Sequence, residues 1–253
     1  MENSSNRSAL ITGGGTGVGR ATALQLAARG FHVAVNYSRS RDEAEETAAA
    51  AREHGVKAIA IQCNVADDAA VRQMVEQFRR EFGRLDVLVN NAGTTHFVTH
   101  TDLESMTEDK WDEILAVNLK GPFFVGRAAI PLLKSSGGGS IVNVASVAGV
   151  AGAGSSIAYA ASKGGLITMT KSFARAFAPE IRVNAVCPGV ILSRWLEGHE
   201  EMVEAAIKIT PLKRASTTDD IADVITFLAC DAGMMTGQAL VVDGGATARL
   251  STE

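Results

Sequence analysis

Short apolar segments alternate with amphipathic segments along this chain, and this rhythm limits the possible folds more than any other feature. Most apolar segments are unbroken runs of valine, isoleucine, leucine and alanine, which is typical of parallel strands buried on both faces. We predict strands at residues 8–12, 32–36, 58–63, 85–90, 140–145, 182–187 and 239–242. We predict helices at residues 19–29, 42–54, 69–82, 110–133, 156–177 and 219–230. The alternation predicts an α/β fold: a doubly wound, seven-stranded parallel sheet with right-handed crossovers and helices on both faces.

The 253 residues contain no fixed-period repeat, low-complexity tract or linker, so we expect one domain over residues 1–253. Residues 189–217 depart from the rhythm: they follow Pro188-Gly189 and carry no predicted strand and only a weakly amphipathic helical pattern. A long excursion at the carboxyl end of a strand is where an open α/β sheet places a substrate loop. Residues 189–217 are called the excursion below.

The composition argues against several classes of protein. The net charge is −4 and no basic run occurs, which disfavours nucleic-acid binding. No apolar run approaches the ~20 residues of a membrane span, and the amino terminus lacks the hydrophobic core of a signal peptide. Cys63, Cys187 and Cys230 are widely spaced and do not have metal-ligand spacing. We therefore expect buried thiols, no metal site, no membrane partner and a cytoplasmic location.

A glycine-rich turn, Thr12-Gly13-Gly14-Gly15-Thr16-Gly17-Val18-Gly19, connects the first predicted strand to the first helix. Gly13 permits the tight turn, Gly17 lets the backbone approach a pyrophosphate, and Gly19 lets the helix pack close to the sheet. Such a turn can serve geometry alone, but its position between a strand and a helix favours nucleotide binding. No Gly-Lys-Ser/Thr triplet follows, so NTP hydrolysis is not expected.

Tyr159 and Lys163 are four residues apart in a predicted helix, so their side chains share one helical face. A free tyrosine has a pKa of about 10, and a neighbouring ammonium favours the phenolate and lowers that value. The hydroxyl of Ser146 could donate to a carbonyl oxygen at the same place. A chance pair on an exposed helix is the alternative, which the other motifs disfavour.

These motifs resemble, in order and spacing, those of the short-chain dehydrogenase/reductase family, and the resemblance extends over essentially the whole chain. It implies a Rossmann-like fold similar to that of the 3-oxoacyl-acyl-carrier-protein reductases. The catalytic positions of the family match Asn118, Ser146, Tyr159 and Lys163. The positions that bind the cofactor match Gly13, Thr16, Gly17, Val18, Gly19, Asn91, Ala92, Gly93, Tyr159, Lys163, Pro188, Gly189, Val190 and Ile191.

By this resemblance, hydride transfer to or from a nicotinamide interconverts a ketone and a secondary alcohol. Ser146 and Tyr159 would polarise the carbonyl oxygen, and Tyr159 would act as the acid or base. Lys163 would lower the pKa of Tyr159 and bind the nicotinamide ribose. Asn118, near a helix kink at Gly121-Pro122, would hold a water that returns the proton from solvent.

Two positions depart from the family pattern. Asn64-Val65 stands where Asp-Val is usual, and the amide oxygen of Asn64 can still accept from an adenine amino group. Ser193 stands where a threonine is usual, and its hydroxyl can still reach the nicotinamide carboxamide.

The choice between the two nicotinamide cofactors depends on the residues after the second strand. An NAD enzyme usually has an acid there for the ribose 2′-hydroxyl, but no acid occurs from Asn36 to Arg41. Ser38 and Arg39 instead offer a hydroxyl and a guanidinium to a 2′-phosphate. We therefore predict NADP(H), with NAD(H) as the alternative because Thr16 occupies a position where a second basic residue is frequent.

The segments that would shape the substrate pocket are mostly apolar, which suits a hydrophobic ketone or secondary alcohol; they are residues 94–99, 147–156 and 190–213. Similarity suggests a 3-oxoacyl thioester or a related ketone. The family also predicts a homotetramer, in which residues 110–133 and 156–177 pair between subunits and residues 241–245 form a second contact. An NAD-dependent alcohol dehydrogenase and a non-catalytic NAD(P)-binding sensor or scaffold are the alternatives, whereas a sugar-nucleotide epimerase would be longer.

Overall fold

A computed structural model describes residues 7–196 and 198–248. Seven parallel strands form one sheet in the order β3-β2-β1-β4-β5-β6-β7. The strands are β1 (Ser8–Ile11), β2 (His32–Tyr37), β3 (Ala58–Gln62), β4 (Val87–Asn90), β5 (Gly139–Val144), β6 (Ile181–Pro188) and β7 (Ala239–Val242). This topology confirms the predicted doubly wound α/β sheet. Residues 1–6, on which the expectation about a signal peptide rests, lie outside the described residues.

Helices connect the strands and cover both faces of the sheet. They are α1 (Gly17–Ala28), α2 (Arg41–Arg52), α3 (Asp68–Phe82), α4 (Glu108–Leu115), α5 (Gly121–Ser135), α6 (Ala148–Ala151), α7 (Ile157–Phe177), α8 (Glu200–Ile209) and α9 (Thr218–Cys230). Among the described residues, no helix has the length and apolar character needed to cross a membrane. The same part of the chain contains no cluster of side chains that could bind a metal ion.

Alternate residues of each central strand pack into two separate hydrophobic cores, one on each face of the sheet. In β1, Ala9 and Ile11 pack with α1, α2 and α9, whereas Leu10 packs on the opposite face with α3 and α5. All three side chains are fully buried. Because both faces are covered, the strands are mostly apolar, and this explains the nearly unbroken apolar runs in the sequence.

The strand order reverses beside β1, which lies between β2 and β4. Crossovers on the two sides of this point leave in opposite directions, so a cleft opens at the carboxyl ends of the strands. The glycine-rich turn follows β1 and Asn91 follows β4, which brings both sequence motifs to this cleft.

The predicted helix over residues 110–133 is divided in the structure. A π-helical turn, Ala116–Lys120, separates α4 from α5 and contains Asn118. Pro122 lies where the π-helical turn passes into α5, and the local change in hydrogen-bond spacing accommodates its missing N–H. The predicted distortion near Gly121-Pro122 is therefore present, and its form is an inserted residue rather than a proline kink.

The excursion contains α8 and is pinned at its base. Ile191 forms an isolated parallel bridge with Ser216, the amide of Leu192 donates to the Ser216 carbonyl, and the amide of Ser216 donates to the Val190 carbonyl. The cysteines are unpaired; Cys63 and Cys187 are buried as expected, and Cys230 is half-buried.

Candidate active site

The glycine-rich turn is fixed by a residue that the sequence analysis missed, Asn36 at the end of β2. Its side-chain oxygen accepts from the Gly13 amide at 3.3 Å, and its backbone carbonyl accepts from the Gly14 amide at 2.9 Å. Its side-chain nitrogen donates to the carbonyls of Ile61 and Cys63. One buried amide therefore ties the turn to the ends of β2 and β3, and no local sequence pattern reports such a contact.

The turn has the geometry of an anion cradle. A Cβ at Gly19 would lie 2.6 Å from Asn91 Nδ2 and 2.9 Å from Gly14 Cα, so only glycine allows this close packing. Gly17 has φ +55°, and no atom lies within 4 Å of the position that its Cβ would take. Thr16 precedes α1 without a side-chain cap, and the first turn of α1 has no acidic residue. The N–H groups of this helix end are thus available to a pyrophosphate, and the residues present fit a dinucleotide.

A hydrogen-bond network joins the ends of β1 and β4. Thr12 Oγ1 accepts from the amides of Asn91 and Ala92 at 3.0 and 3.1 Å. Asn91 Nδ2 donates to the carbonyls of Thr12 and Gly13 at 3.0 and 2.9 Å. The Asn91-Ala92-Gly93 motif therefore holds the floor of the cleft beside the glycine turn, with Val18 packed against the core from α1.

At the β2 end of the cleft, Ser38 and Arg39 are exposed. The Arg39 side chain is 90% exposed, and its guanidinium lies 3.8 Å from a Glu113 carboxylate oxygen. Asn64 Oδ1 accepts from the Ala66 amide at 3.1 Å, which closes a turn and leaves one lone pair for a ligand. Val65 is buried, and a Cβ on Gly121 would be 2.8 Å from its Cγ2. The Val65 side chain therefore packs against α5 rather than lining the cleft.

Tyr159 is placed by the first turn of α7. Ser156 caps this helix, its hydroxyl accepting from the Tyr159 amide at 3.2 Å. The Tyr159 hydroxyl lies close enough to the Ser146 hydroxyl for the serine to favour the phenolate. Ser146 Oγ also accepts from the Ala148 amide at 3.1 Å, which fixes the rotamer of the serine. Two hydroxyls, one from the β5–α6 connection and one from α7, thus meet at one point.

Lys163 lies one turn further along α7 and is 3% exposed. Its Nζ donates to the Val144 carbonyl at 2.8 Å and lies 5.7 Å from the centroid of the Tyr159 ring. A Cβ on Gly149 would lie 2.5 Å from the amide nitrogen of Gly164, so glycine at this position lets α6 cross α7 closely. This crossing holds the Ser146 segment against the Tyr159–Lys163 face.

Burial sets the protonation of the Tyr159–Lys163 pair. Burial raises the pKa of Tyr159 to about 12, and the hydrogen bond with Ser146 acts in the opposite direction. Burial lowers the pKa of Lys163 to about 8. The expectation that Lys163 brings the pKa of Tyr159 below its usual value is therefore not met here, because desolvation of the phenolate outweighs the other contributions. At neutral pH the pair is a phenol beside an ammonium.

Asn118 is fully buried in the π-helical turn, and protein groups occupy both of its N–H donors. Nδ2 donates to the Thr94 carbonyl at 2.9 Å and to Ser162 Oγ at 3.1 Å, and Oδ1 accepts from the Thr94 amide at 2.8 Å. Ser162 Oγ in turn donates to the Tyr159 carbonyl. The side chain therefore clamps three segments together. It has no free donor for the water that the sequence analysis assigned to it.

The start of the excursion forms the remaining wall. Pro188 ends β6 and Gly189 follows it; a Cβ at Gly189 would lie 2.9 Å from that of Asp243. Val190 and Ile191 are held by the pairing with Ser216, and Ser193 begins a short 3₁₀ turn, Arg194–Leu196.

Trp195 and Arg194 reach from this turn toward opposite ends of the cleft. The Trp195 ring meets the Tyr159 ring edge-on at 6.2 Å between centroids. A Cβ at Gly93 would lie 3.6 Å from Trp195 Cη2 and 3.7 Å from Lys163 Nζ, so all three residues border one space. Arg194 contacts Ser40 and Glu43 at the start of α2, a contact that no sequence motif indicated.

Comparisons with known proteins agree with this geometry. A family model described as enoyl-(acyl carrier protein) reductase matches residues 13–247. The 3-oxoacyl-[acyl-carrier-protein] reductase FabG of Staphylococcus aureus strain Mu50 is 43% identical over 242 residues, which cover 94% of this chain and 97% of the relative.

Solved structures agree over a similar extent. A protein from Burkholderia xenovorans, assigned provisionally as a short-chain dehydrogenase/reductase, has a TM-score of 0.92 at 37% identity. The alignment covers 98% of this chain and all of that one. NAD⁺-bound xylitol dehydrogenase has a TM-score of 0.88 at 33% identity, covering 96% of this chain and 100% of that one.

Proposed function

Because the chain belongs to the short-chain dehydrogenase/reductase family, we propose that it reduces an apolar ketone to a secondary alcohol with NADPH, Tyr159 being the proton donor. The observation that carries this proposal is the meeting of the Tyr159 and Ser146 hydroxyls beside the Lys163 ammonium. Two O–H donors that converge on one point suit a single carbonyl oxygen, on which negative charge develops during reduction.

The nicotinamide cofactor, when bound, supplies the hydride. The N–H groups at the start of α1 would bind its pyrophosphate, and Asn91 holds the floor of the cleft. Ser146 Oγ donates a hydrogen bond to the substrate oxygen and keeps it in line with Tyr159. Tyr159 then transfers its phenolic proton to the forming alkoxide. Lys163, one helical turn away, stabilises the phenolate that this transfer leaves behind.

The raised pKa of Tyr159 suits this direction of reaction. With a pKa of about 12, the side chain is a neutral phenol at physiological pH and is ready to donate. In the oxidative direction the same residue acts as a base and first has to lose its proton. The fully occupied amide of Asn118 assigns that residue a positioning role: it holds Thr94 and Ser162 around the pair.

The family model carries the description of an enoyl reductase, which raises reduction of a carbon–carbon double bond as a second function. The paired hydroxyls favour the ketone, because both donors can act on the oxygen that receives the proton. A 3-oxoacyl thioester is the substrate class we propose, on the strength of the relative named a 3-oxoacyl-[acyl-carrier-protein] reductase. Exposed apolar side chains in the segments next to the site residues, Val150 in α6, Ile157 at the start of α7 and Leu192 in the excursion, suit an acyl chain.

The preference for NADPH is proposed from the turn after β2. That turn offers Ser38, Ser40 and two arginines, and it has no acid before Asp42. The structurally similar xylitol dehydrogenase binds NAD⁺, so NADH remains the alternative. The test is the ratio of kcat/KM for NADPH to that for NADH with one ketone, and a ratio below one overturns this preference.

The reaction is tested with a panel of 3-oxoacyl and 2-enoyl thioesters and simple ketones, assayed by loss of reduced nicotinamide absorbance and by product analysis. We expect Tyr159→Phe to abolish ketone reduction while the Kd for NADPH stays within about threefold, because the phenol acts on substrate and not on the pyrophosphate. Tyr37→Phe is the matched control, since it removes the hydroxyl of the only other tyrosine. Retained turnover in Tyr159→Phe would refute the assignment, and tight binding without turnover in the native protein would support a sensor or scaffold.

We also propose a homotetramer. Trp111 on α4 and Phe123 on α5 are exposed by more than a third, as is Val241 at the sheet edge. Apolar groups on these two surfaces suit contacts between subunits. Light scattering during size-exclusion chromatography tests this, and a monomer at micromolar concentration contradicts it.

A further inference from the structure

Arg194 connects the excursion to the opposite side of the dinucleotide cleft. Arg194 Nη1 donates to Glu43 Oε1 at 3.1 Å, and Arg194 Nη2 donates to Ser40 Oγ at 3.0 Å. Ser40 precedes α2, and Glu43 lies in its first turn. Arg194 itself belongs to the 3₁₀ turn that also carries Trp195 against Tyr159. The guanidinium therefore lies at the end of the cleft that distinguishes the two nicotinamide cofactors.

The contact between Arg194 and Glu43 contributes too little to the stability of the fold for stability to be its main role. The side chains of Arg194 and Glu43 are 49% and 42% exposed. Pairs with this exposure contribute little to stability, because water screens the charges and two long side chains lose conformational freedom. The Ser40 hydroxyl makes no cap to α2, and within the described part of the chain the hydrogen bond from Arg194 is the one that orients it.

The charge of Glu43 also affects the choice of cofactor. It is a carboxylate in the first turn of α2, close to the Ser38–Arg41 turn in which a 2′-phosphate would be recognised. A free carboxylate at this position repels a phosphate and can accept from a ribose 2′-hydroxyl, so it favours NADH. Pairing with Arg194 cancels that charge.

Arg39, the residue that the sequence indicated for this role, extends in a different direction. Its side chain is 90% exposed, and its guanidinium points to Glu113 at 3.8 Å. Glu113 lies on α4 and also contacts His96 Nε2 at 2.8 Å. Arg39 therefore extends across the cleft toward α4. Arg194 is the arginine of the described residues that already contacts the start of α2 from across the cleft.

We propose that Arg194 is the residue that selects NADP(H): it neutralises Glu43 and, together with Ser40, donates hydrogen bonds to the 2′-phosphate. This inference rests on the proposed preference for NADPH and assigns it to a residue of the excursion rather than to the β2–α2 turn alone. Because Trp195 is adjacent, the arginine that binds the phosphate also holds the wall of the catalytic end.

The test uses ligands that cannot react. Titration calorimetry compares 2′,5′-ADP, which carries the 2′-phosphate, with 5′-AMP, which lacks it. We expect Arg194→Met to raise the Kd of 2′,5′-ADP at least about tenfold, as for loss of a charge-assisted hydrogen bond, and that of 5′-AMP less than about twofold. Arg79→Met is the control, because it breaks an exposed arginine–glutamate pair on α3, away from the cleft. Thermal melts check that each variant is folded.

A further variant, at the carboxylate of Glu43, separates the effect of its charge from that of side-chain packing. Glu43→Gln removes the repulsion, so in the Arg194→Met background it should recover about half or more of the lost affinity for 2′,5′-ADP, on a logarithmic scale. No recovery would mean that Glu43 plays no part, and this would overturn the inference. The fluorescence of Trp195, assigned against Trp111 with Trp195→Phe, should change on binding NADPH, as follows from the position of the ring beside Tyr159.

Failure of the inference and failure of the proposed function give different results. If the native protein binds 5′-AMP as tightly as 2′,5′-ADP, the NADPH preference itself is wrong. If the native protein prefers 2′,5′-ADP but Arg194→Met leaves that preference unchanged, or weakens both ligands equally, only the role of Arg194 is refuted. If Arg39→Met weakens binding of 2′,5′-ADP and Arg194→Met does not, the β2–α2 turn selects the cofactor and the role of Arg194 is likewise refuted.

Discussion

Replacing Lys163 tests how the site stabilises a phenolate. The Lys163 ammonium lies 5.7 Å from the centroid of the Tyr159 ring. If the phenolate charge is placed at the ring centroid and the effective dielectric constant is about 20, the two charges interact by about 3 kcal/mol, which corresponds to ~2 pKa units for the phenol. Lys163→Met should therefore lower kcat/KM for alcohol oxidation about 100-fold at pH 7, measured with saturating cofactor.

The pH profile distinguishes this electrostatic effect from simple loss of packing. Because burial lowers the pKa of Lys163 to about 8, the native ammonium is itself lost above that pH. The difference between native protein and Lys163→Met should thus narrow as the pH rises from 8 to 10. Lys171→Met, which removes an exposed lysine from the same helix, should behave as the native protein does. A difference that is constant from pH 6 to 10 would refute the electrostatic reasoning.

Three further predictions concern stability and cofactor binding. Since Lys163 has a pKa near 10.5 when unfolded and about 8 when folded, the unfolded chain binds more protons between pH 8 and 10. Stability should therefore rise there by up to about 1.4 kcal/mol per pH unit, a slope that urea melts of Lys163→Met should lack. Gly19→Ala would place a Cβ 2.6 Å from Asn91 Nδ2 and should raise the Kd for NADPH more than about tenfold, whereas Gly233→Ala, which meets open space, should not. Asp220→Asn breaks the capping box of α9 and its pair with Arg214, so it should cost about 1 kcal/mol, seen as a lower Tm.

The strands could be predicted well because burial on both faces makes most of their residues apolar. Each of the seven strands begins within two residues of its predicted start, the largest deviation being β4 at Val87. The glycine-rich turn was equally visible, since close packing at Gly19 and a left-handed φ at Gly17 both require glycine. These features depend on local sequence, which one chain reports directly.

The parts that could not be predicted depend on contacts between distant residues. Asn36 holds Gly13 across 23 positions, and Arg194 holds Ser40 across 154. The π-helical turn at Asn118 was visible only as a distortion, because one inserted residue hardly alters the apolar periodicity of a long helix. The protonation of Tyr159 was predicted in the wrong direction for the same reason: spacing shows that a lysine is near, but not how deeply both groups are buried.

Burial acts on both members of the Tyr159–Lys163 pair through one physical effect with opposite signs. Desolvation disfavours whichever form is charged, so it raises the pKa of the phenol and lowers that of the ammonium. A reductase can use this arrangement directly, because its donor is stored in the form that burial favours. Charge appears on Tyr159 only as the proton leaves, and at that moment the Ser146 hydroxyl and the Lys163 ammonium are already in place. In the oxidative direction the same desolvation has to be overcome before the reaction begins. At neutral pH, burial thus keeps Tyr159 in the protonated form that the proposed reduction requires.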